Sequence, residues 1–263
     1  MYKDLTISLI LIFFITSTTQ ANTDLFNVST LIPEVSGATY DSYQNAIWSV
    51  GESGKRVLGR TNLSTKETNV FPIIGHEIAT DREELVEDSE GNIWILSVGD
   101  NDRVRDDIEI NMVSPLEAIH NNSLTVQRTI KIQYPDGRKN VEAAFYFDDK
   151  IFLIEKTISS IAKIYTIDIS KDSSSIQTVK YFTSIKSLKT RFITAACIDK
   201  SEDVFILTYY GTFKLNNWKN SKEVSTKTVN FSPFISQMET LVCYRDQLLL
   251  ATEEGAFWLE GNK

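Results

Sequence analysis

Five times along the chain, an apolar strand, a short polar turn and a second, more apolar strand follow one another. The pairs are SGATYD and NAIWSV at 36–41 and 45–50, EELVED and NIWIL at 83–88 and 92–96, and EAAFYF and KIFLI at 142–147 and 150–154. They continue with TAACID and DVFIL at 194–199 and 203–207, and ETLVCY and QLLLA at 239–244 and 247–251. Turns such as DSEG at 88–91 are hairpin signals, because Asp and Ser bond nearby backbone and Gly accepts unusual dihedrals. Each second strand is a nearly continuous apolar run, as expected where both sheet faces are covered. The starts lie about 47, 59, 52 and 45 residues apart, close to the roughly 40–50 residues of a propeller blade. Four antiparallel strands fit that length. The repeat therefore predicts an all-β chain, a β-propeller of about five four-stranded blades, with a sixth, degenerate blade as the alternative.

The ends fit a closed ring. After the fifth hairpin only 256–260 reads as a strand, which leaves that blade one strand short, while 25–32 precedes the first copy and has no blade of its own. Pairing the two completes the last blade and removes an open sheet edge. Third and fourth strands read at 57–62 and 68–73, and at 161–169 and 176–182. The extra length between 101 and 134 reads as loops plus a strand at 108–113.

Residues 1–21 read as a signal peptide: Lys3, an apolar run at 7–15, and a small or polar stretch ending at Ala21. Such a run is too short to span a bilayer as a stable helix. An uncleaved anchor is the alternative. The remaining residues, 22–263, read as one domain, expected to be a periplasmic or secreted monomer with no membrane span after cleavage. Cys197 and Cys243 fall on innermost strands of neighbouring blades; a disulfide and two buried thiols both remain open, because a bridge needs facing side chains at short separation. The formal net charge of -8 argues against nucleic acid, whose binders show a basic face.

The ordered motifs SG at 36–37, ESG at 52–54 after Trp48, DREE at 81–84, VGDN at 98–101, YPDG at 134–137 leading to VEA at 141–143, and QME at 237–239 resemble a family of exported, mostly uncharacterised bacterial propeller-like proteins. The resemblance covers most of residues 36–254. Its usual pattern is departed from at Gly51 and Glu52, Arg82, Ser97 and Met238. More distantly the family resembles phytase-like and lactonase-like propellers, some of which bind calcium in the axial channel.

Aligning the repeats places Ser36, Glu83, Glu142, Thr194 and Glu239 at one register, beginning the innermost strands and ringing one channel mouth. Two carboxylates about 6 Å apart repel by about 3 kcal/mol at an effective dielectric near 20. Such a ring therefore protonates, recruits basic side chains or holds a cation. Glu83, Glu142 and Glu239 are the candidate metal ligands, and oxygen donors alone suit calcium or magnesium. Asp100, Asn101, Lys156 and Arg82 are candidate ligand-binding neighbours, with Lys156, Arg82 and Arg191 also able to neutralise the ring. His76 and His120, both read as loop residues, give no zinc spacing. Asp100 to Asp102 reads as a turn, because the glycine and terminal Glu of a calcium loop are missing. Trp48, Trp94, Phe152 and Phe205 read as blade core. The expected function is that of a binding or scaffold propeller for a small molecule or protein. The alternative is a divalent-cation-dependent hydrolase of esters, lactones or phosphate esters.

Overall fold

The computed structural model describes residues 25–52, 54–75, 81–171, 175–186, 191–220, 224–230 and 238–260. The signal segment, His76 and Gln237 lie outside the described residues. The first strand among the described residues is β1 (Phe26–Asn27), and the strands form five mainly antiparallel sheets. Blade 1 is β2 (Val35–Asp41), β3 (Ala46–Gly51), β4 (Val57–Asn62) and β5 (Thr68–Ile74). Blade 2 holds β6 (Glu84–Glu87), β7 (Ile93–Ser97) and β8 (Glu109–Val113); after helix α1 (Pro115–Asn121) and β9 (Leu124–Thr125), β10 (Arg128–Gln133) completes it. Blade 3 is β11 (Val141–Phe147), β12 (Lys150–Glu155) and β13 (Ile161–Asp168), then, past β14 (Gln177–Thr178), β15 (Lys180–Lys186). Blade 4 is β16 (Ile193–Ile198), β17 (Val204–Thr208), β18 (Gly211–Asn216) and β19 (Ser225–Asn230). Blade 5 supplies β20 (Met238–Tyr244), β21 (Gln247–Thr252) and β22 (Ala256–Glu260).

The ring closes as the end-counting requires. β1 pairs antiparallel with β22, Phe26 opposite Phe257, and the two rings stack at 4.6 Å. The protein is a five-bladed propeller whose last blade borrows its outer strand from the N-terminal side. Each second strand is apolar because apolar cores lie between successive blades, and Trp48, Trp94, Phe152 and Phe205 are buried in them. The innermost strands of blades 4 and 5 are joined by a disulfide, Cys197 to Cys243, with Cα atoms 5.5 Å apart.

Two connections differ from the sequence reading. Residues 114–122 hold a helix rather than a loop. Pro115 at its first position has no N–H to lose there, and Asn122 closes it in the left-handed region at φ 52° with its N–H on Ala118 O. His120 therefore lies on this helix. The stretch read as one strand at 176–182 is divided. Gln177 and Thr178 pair parallel with β10 of blade 2 before β15 begins, just as β9 pairs with β5 of blade 1. Both short strands cover an outer edge whose backbone groups would otherwise lack partners.

Candidate functional site

The five register-matched residues share one backbone device. At Ser36, Glu142, Thr194 and Glu239 the pairing of first and second strand shifts by one residue. In blade 2, Glu84 pairs with Leu96 while Glu83 N also bonds Leu96 O at 2.9 Å. A bulge re-aims its extra side chain, and here it directs the side chain to the axial mouth. Among the described residues, the next blade is fastened to the residues just past the second strand at four joints. Asp81 N and Arg82 N bond Glu52 O, Val141 N bonds Val98 O, Phe192 N bonds Thr157 O, and Val35 N bonds Glu253 O. This brings a second tier of side chains, including Glu52, Lys156 and Glu253, to the same mouth.

The mouth is a cavity of about 150 Å³ lined by Glu34, Ser36, Glu52, Glu83, Asn101, Glu142, Lys156, Glu239 and Glu253. Its two sides are different. On the blade 1 and 2 side, carboxylate oxygens of Glu52, Asp81 and Glu83 lie within 4.8 Å of one another. Glu83 is 5% exposed, and its buried Oε1 has no hydrogen-bond partner. Gly99 makes the room, since a Cβ there would meet Glu83 Oε1 and sit 2.7 Å from the Asp81 carboxylate. Behind the cluster, Arg105 Nη1 lies 3.4 Å from Asp81 Oδ2 and donates to Gly99 O at 2.6 Å. Burial, then the charges of Glu142, Asp81 and Glu52, push Glu83 well above the ordinary carboxylate range. Burial, then the bond to Asp81, raises Glu52 to about 7.

On the blade 3 and 4 side the charges are paired. Lys156 Nζ forms an ion pair with Glu142, and Asn140 Nδ2 donates to Glu142 Oε1 at 2.9 Å. Lys156 also lies 5.0 Å from the centre of the Tyr209 ring, and Tyr209 OH donates to Glu239 Oε1 at 3.3 Å. Burial works against the lysine charge, but Glu142 and Glu239 outweigh it and hold its pKa above the ordinary value. Glu239 is raised to about 8, mainly by burial, with Lys156 pulling the other way.

The predicted residues thus divide. Glu83, Glu142, Glu239, Lys156 and Asn101 meet at the mouth, but only Glu83 belongs to the tight carboxylate cluster. Arg82 is turned away: its Nε donates to Gly51 O at 3.0 Å and its Nη2 to Lys55 O at 3.4 Å. Asp100 does not line the cavity. Its Oδ1 accepts from Val104 N at 2.7 Å and Arg105 N at 3.2 Å, which is the turn its sequence suggests. Sequence reasoning did not single out Glu52 and Asp81 as ligands. Glu52 was within reach, since it follows its second strand in the same register as Lys156, Tyr209 and Glu253. Nor did it find Glu84, whose fully buried carboxyl crosses the axis to accept from Leu85 N at 3.0 Å and Ala196 N at 3.5 Å. Burial raises Glu84 well above the ordinary range although backbone N–H groups of Leu85, Ala196 and Ala38 oppose the shift. Beyond it, a second cavity of about 150 Å³, lined in part by Cys197 and Cys243, opens at the other end of the axis.

No family model matches the sequence, and no curated protein matches it. Solved structures match its fold. A protein of unknown function from Bacteroides thetaiotaomicron superposes with a TM-score of 0.54 at 12% identity, over 85% of this chain and 58% of that one. The chain shares the β-propeller fold of bacterial proteins. Virginiamycin B lyase from Staphylococcus aureus gives a TM-score of 0.49 at 12% identity, over 86% of this chain and 65% of the lyase. A gluconolactonase from Xanthomonas campestris gives 0.48 at 8%, over 90% and 87%. The chain therefore spans less than two thirds of the length of the Bacteroides protein and of the lyase. Among the described residues no helix is long and apolar enough to cross a membrane.

Proposed function

We propose that the mouth holds a divalent cation on Glu52, Asp81 and Glu83, with calcium the fitting ion, and that the propeller is a cation-dependent hydrolase of esters, lactones or phosphate esters, exported to the periplasm or beyond. The observation that carries this reading is Glu83: a buried carboxylate oxygen without a partner, inside a cluster of three carboxylates. Burial makes the ionised form of such a group costly, and a hard cation with oxygen ligands relieves that cost. Oxygen-only donors suit calcium rather than a softer metal. When bound, such an ion supplies positive charge to a carbonyl or phosphoryl oxygen. The chain's own groups complete the set. Lys156 remains protonated and offsets negative charge that develops on the substrate. Glu239, with a pKa of about 8, gives up or takes a proton near neutral pH, as a general acid or base must.

A binding role without turnover is the second reading. It is favoured by the size of the cavity, about 150 Å³, against the roughly 300–1,000 Å³ of ordinary ligand pockets. Calcium titration of chelator-treated protein, followed by thermal melting, tests the shared premise. At calcium near 100 times Kd the stabilisation is about 2.7 kcal/mol, or roughly 5–10 °C in Tm for a domain of this size. No shift, with no calcium by elemental analysis, rejects the cation. Assays on 4-nitrophenyl acetate, γ-butyrolactone and 4-nitrophenyl phosphate then separate the readings: calcium binding without turnover of any of them leaves the binding role.

A further inference from the structure

Two residues before three of the bulges, the chain repeats a second device. Glu34, Asp81 and Phe192 occupy this position in blades 1, 2 and 4, all in the left-handed region, at φ 52°, 63° and 56°. Asp tolerates that conformation because its short polar side chain bonds locally, whereas for a bulky residue it is an outlier. Glu34 lines the mouth and Asp81 joins its carboxylate cluster. Phe192, aimed by the same backbone, lies parallel to the Tyr209 ring, with centroids 5.4 Å apart and planes 16° apart.

Tyr209 ties this pair to the mouth through Glu239 and Lys156. Both rings remain partly exposed, and neither belongs to an apolar core cluster. Apolar packing therefore does not account for an aromatic residue held in a strained conformation, and strain of this kind clusters at ligand sites. Phe192 N bonds Thr157 O at 3.0 Å, and the following residue, Ile158, is 71% exposed. Away from the cation cluster, carboxylates outnumber lysine among the described residues of the mouth, so at this rim a neutral group is favoured over an anionic one.

We propose that Phe192 is a specificity-determining residue, presenting an aromatic platform on which the aryl group of a small neutral ligand lies beside the axial mouth. This deepens the reading of the mouth as a ligand site and rests on it. The Phe192–Tyr209 stack shows the parallel arrangement a further ring adopts, and Ile158 extends the apolar rim.

The test is equilibrium dialysis of acetanilide, a neutral aryl amide, against the calcium-loaded protein and its Phe192→Gly and Phe192→Tyr variants. Glycine relaxes the left-handed backbone, so Phe192→Gly is expected to keep or raise Tm and to leave calcium affinity unchanged. The same variant should weaken acetanilide binding about tenfold, the scale of one lost ring contact with its buried area. Phe192→Tyr retains the ring and is expected to retain binding, whatever happens to Tm in the glycine protein. Acetanilide binding that is absent from the wild type, equal in wild type and Phe192→Gly, or lost in Phe192→Tyr overturns the platform. Failure of calcium to bind, or of any ester to be hydrolysed, is read separately and rejects the earlier reading instead.

Discussion

Glu83 and Glu142 begin innermost strands of adjacent blades, at the same register and in the same kind of bulge, yet they end in opposite states. Glu142 meets Lys156 and Asn140. Glu83 lies in a cluster with Glu52 and Asp81 and keeps one buried oxygen, Oε1, without a hydrogen-bond partner. The difference lies in the neighbour one residue past the second strand of each blade. It is lysine in blade 3, Val98 in blade 2, and Glu52 in blade 1, to which blade 2 is fastened. One half of the mouth pairs its carboxylate with a lysine, whereas in the other Arg105 reaches Asp81 and leaves Glu83 Oε1 without a hydrogen-bond partner. Equivalent positions in a repeat fix where side chains meet, and the residues they meet decide what they do.

The largest expected effect comes from removing one charge from each half. Glu83→Gln lowers calcium affinity by about a hundredfold, because affinity follows ligand charge, whereas Glu142→Gln changes it by no more than about threefold; isothermal titration measures both. Equal losses from the two substitutions would erase the distinction between the halves. Next in size is Lys156→Met, which leaves Glu142 as an unpaired buried carboxylate. Breaking such a pair costs about 3 kcal/mol, visible as a lower urea midpoint, while the calcium-free Glu83→Gln protein gains or holds stability.

A further effect is the pH dependence. Glu239 is raised from 4.5 to about 8. Glu87, on the blade 2 inner strand near the opposite end of the axis, is raised from 4.5 to about 8 by burial and then by Asp41 and Asp88. Both groups hold protons more tightly folded than unfolded. Their contribution is therefore fully present below about 4.5 and is lost as pH rises through about 8. Melting of metal-free protein between pH 5 and 9 should show Tm falling across this window. In Lys156→Met the Glu239 part of the loss moves to higher pH, since the lysine holds that pKa down, and the Glu87 part stays in place.

Much of the fold was legible because a propeller repeats one strand pattern, and apolar strands between polar turns are a local signal. The borrowed outer strand followed from counting strands. The short parallel strands β9 and β14 were not legible, because two residues pairing with a neighbouring blade carry no periodicity. Nor was α1, which spans only seven residues. In the site, Glu83 was visible from its register. Asp81 was not, because its contribution depends on a positive φ of 63°, and nothing in DREE at 81–84 announces that turn. Arg82 reads as a neighbour of Glu83 in sequence, yet it leaves the mouth for backbone carbonyls of blade 1.

The sequence by itself determined the ring: five hairpins, the closing strand, and two cysteines on adjacent inner strands. Burial and strand pairing repeat along the chain, so local pattern suffices for them. Only the tertiary structure decided that the cysteines face each other, that Lys156 belongs to Glu142, and that Glu52 and Asp81 join Glu83. Electrostatic interaction changes over a few ångströms. Those ångströms are set by bulges, left-handed residues and the joints between blades, which bring together side chains as distant in the chain as Cys197 and Cys243, 46 residues apart.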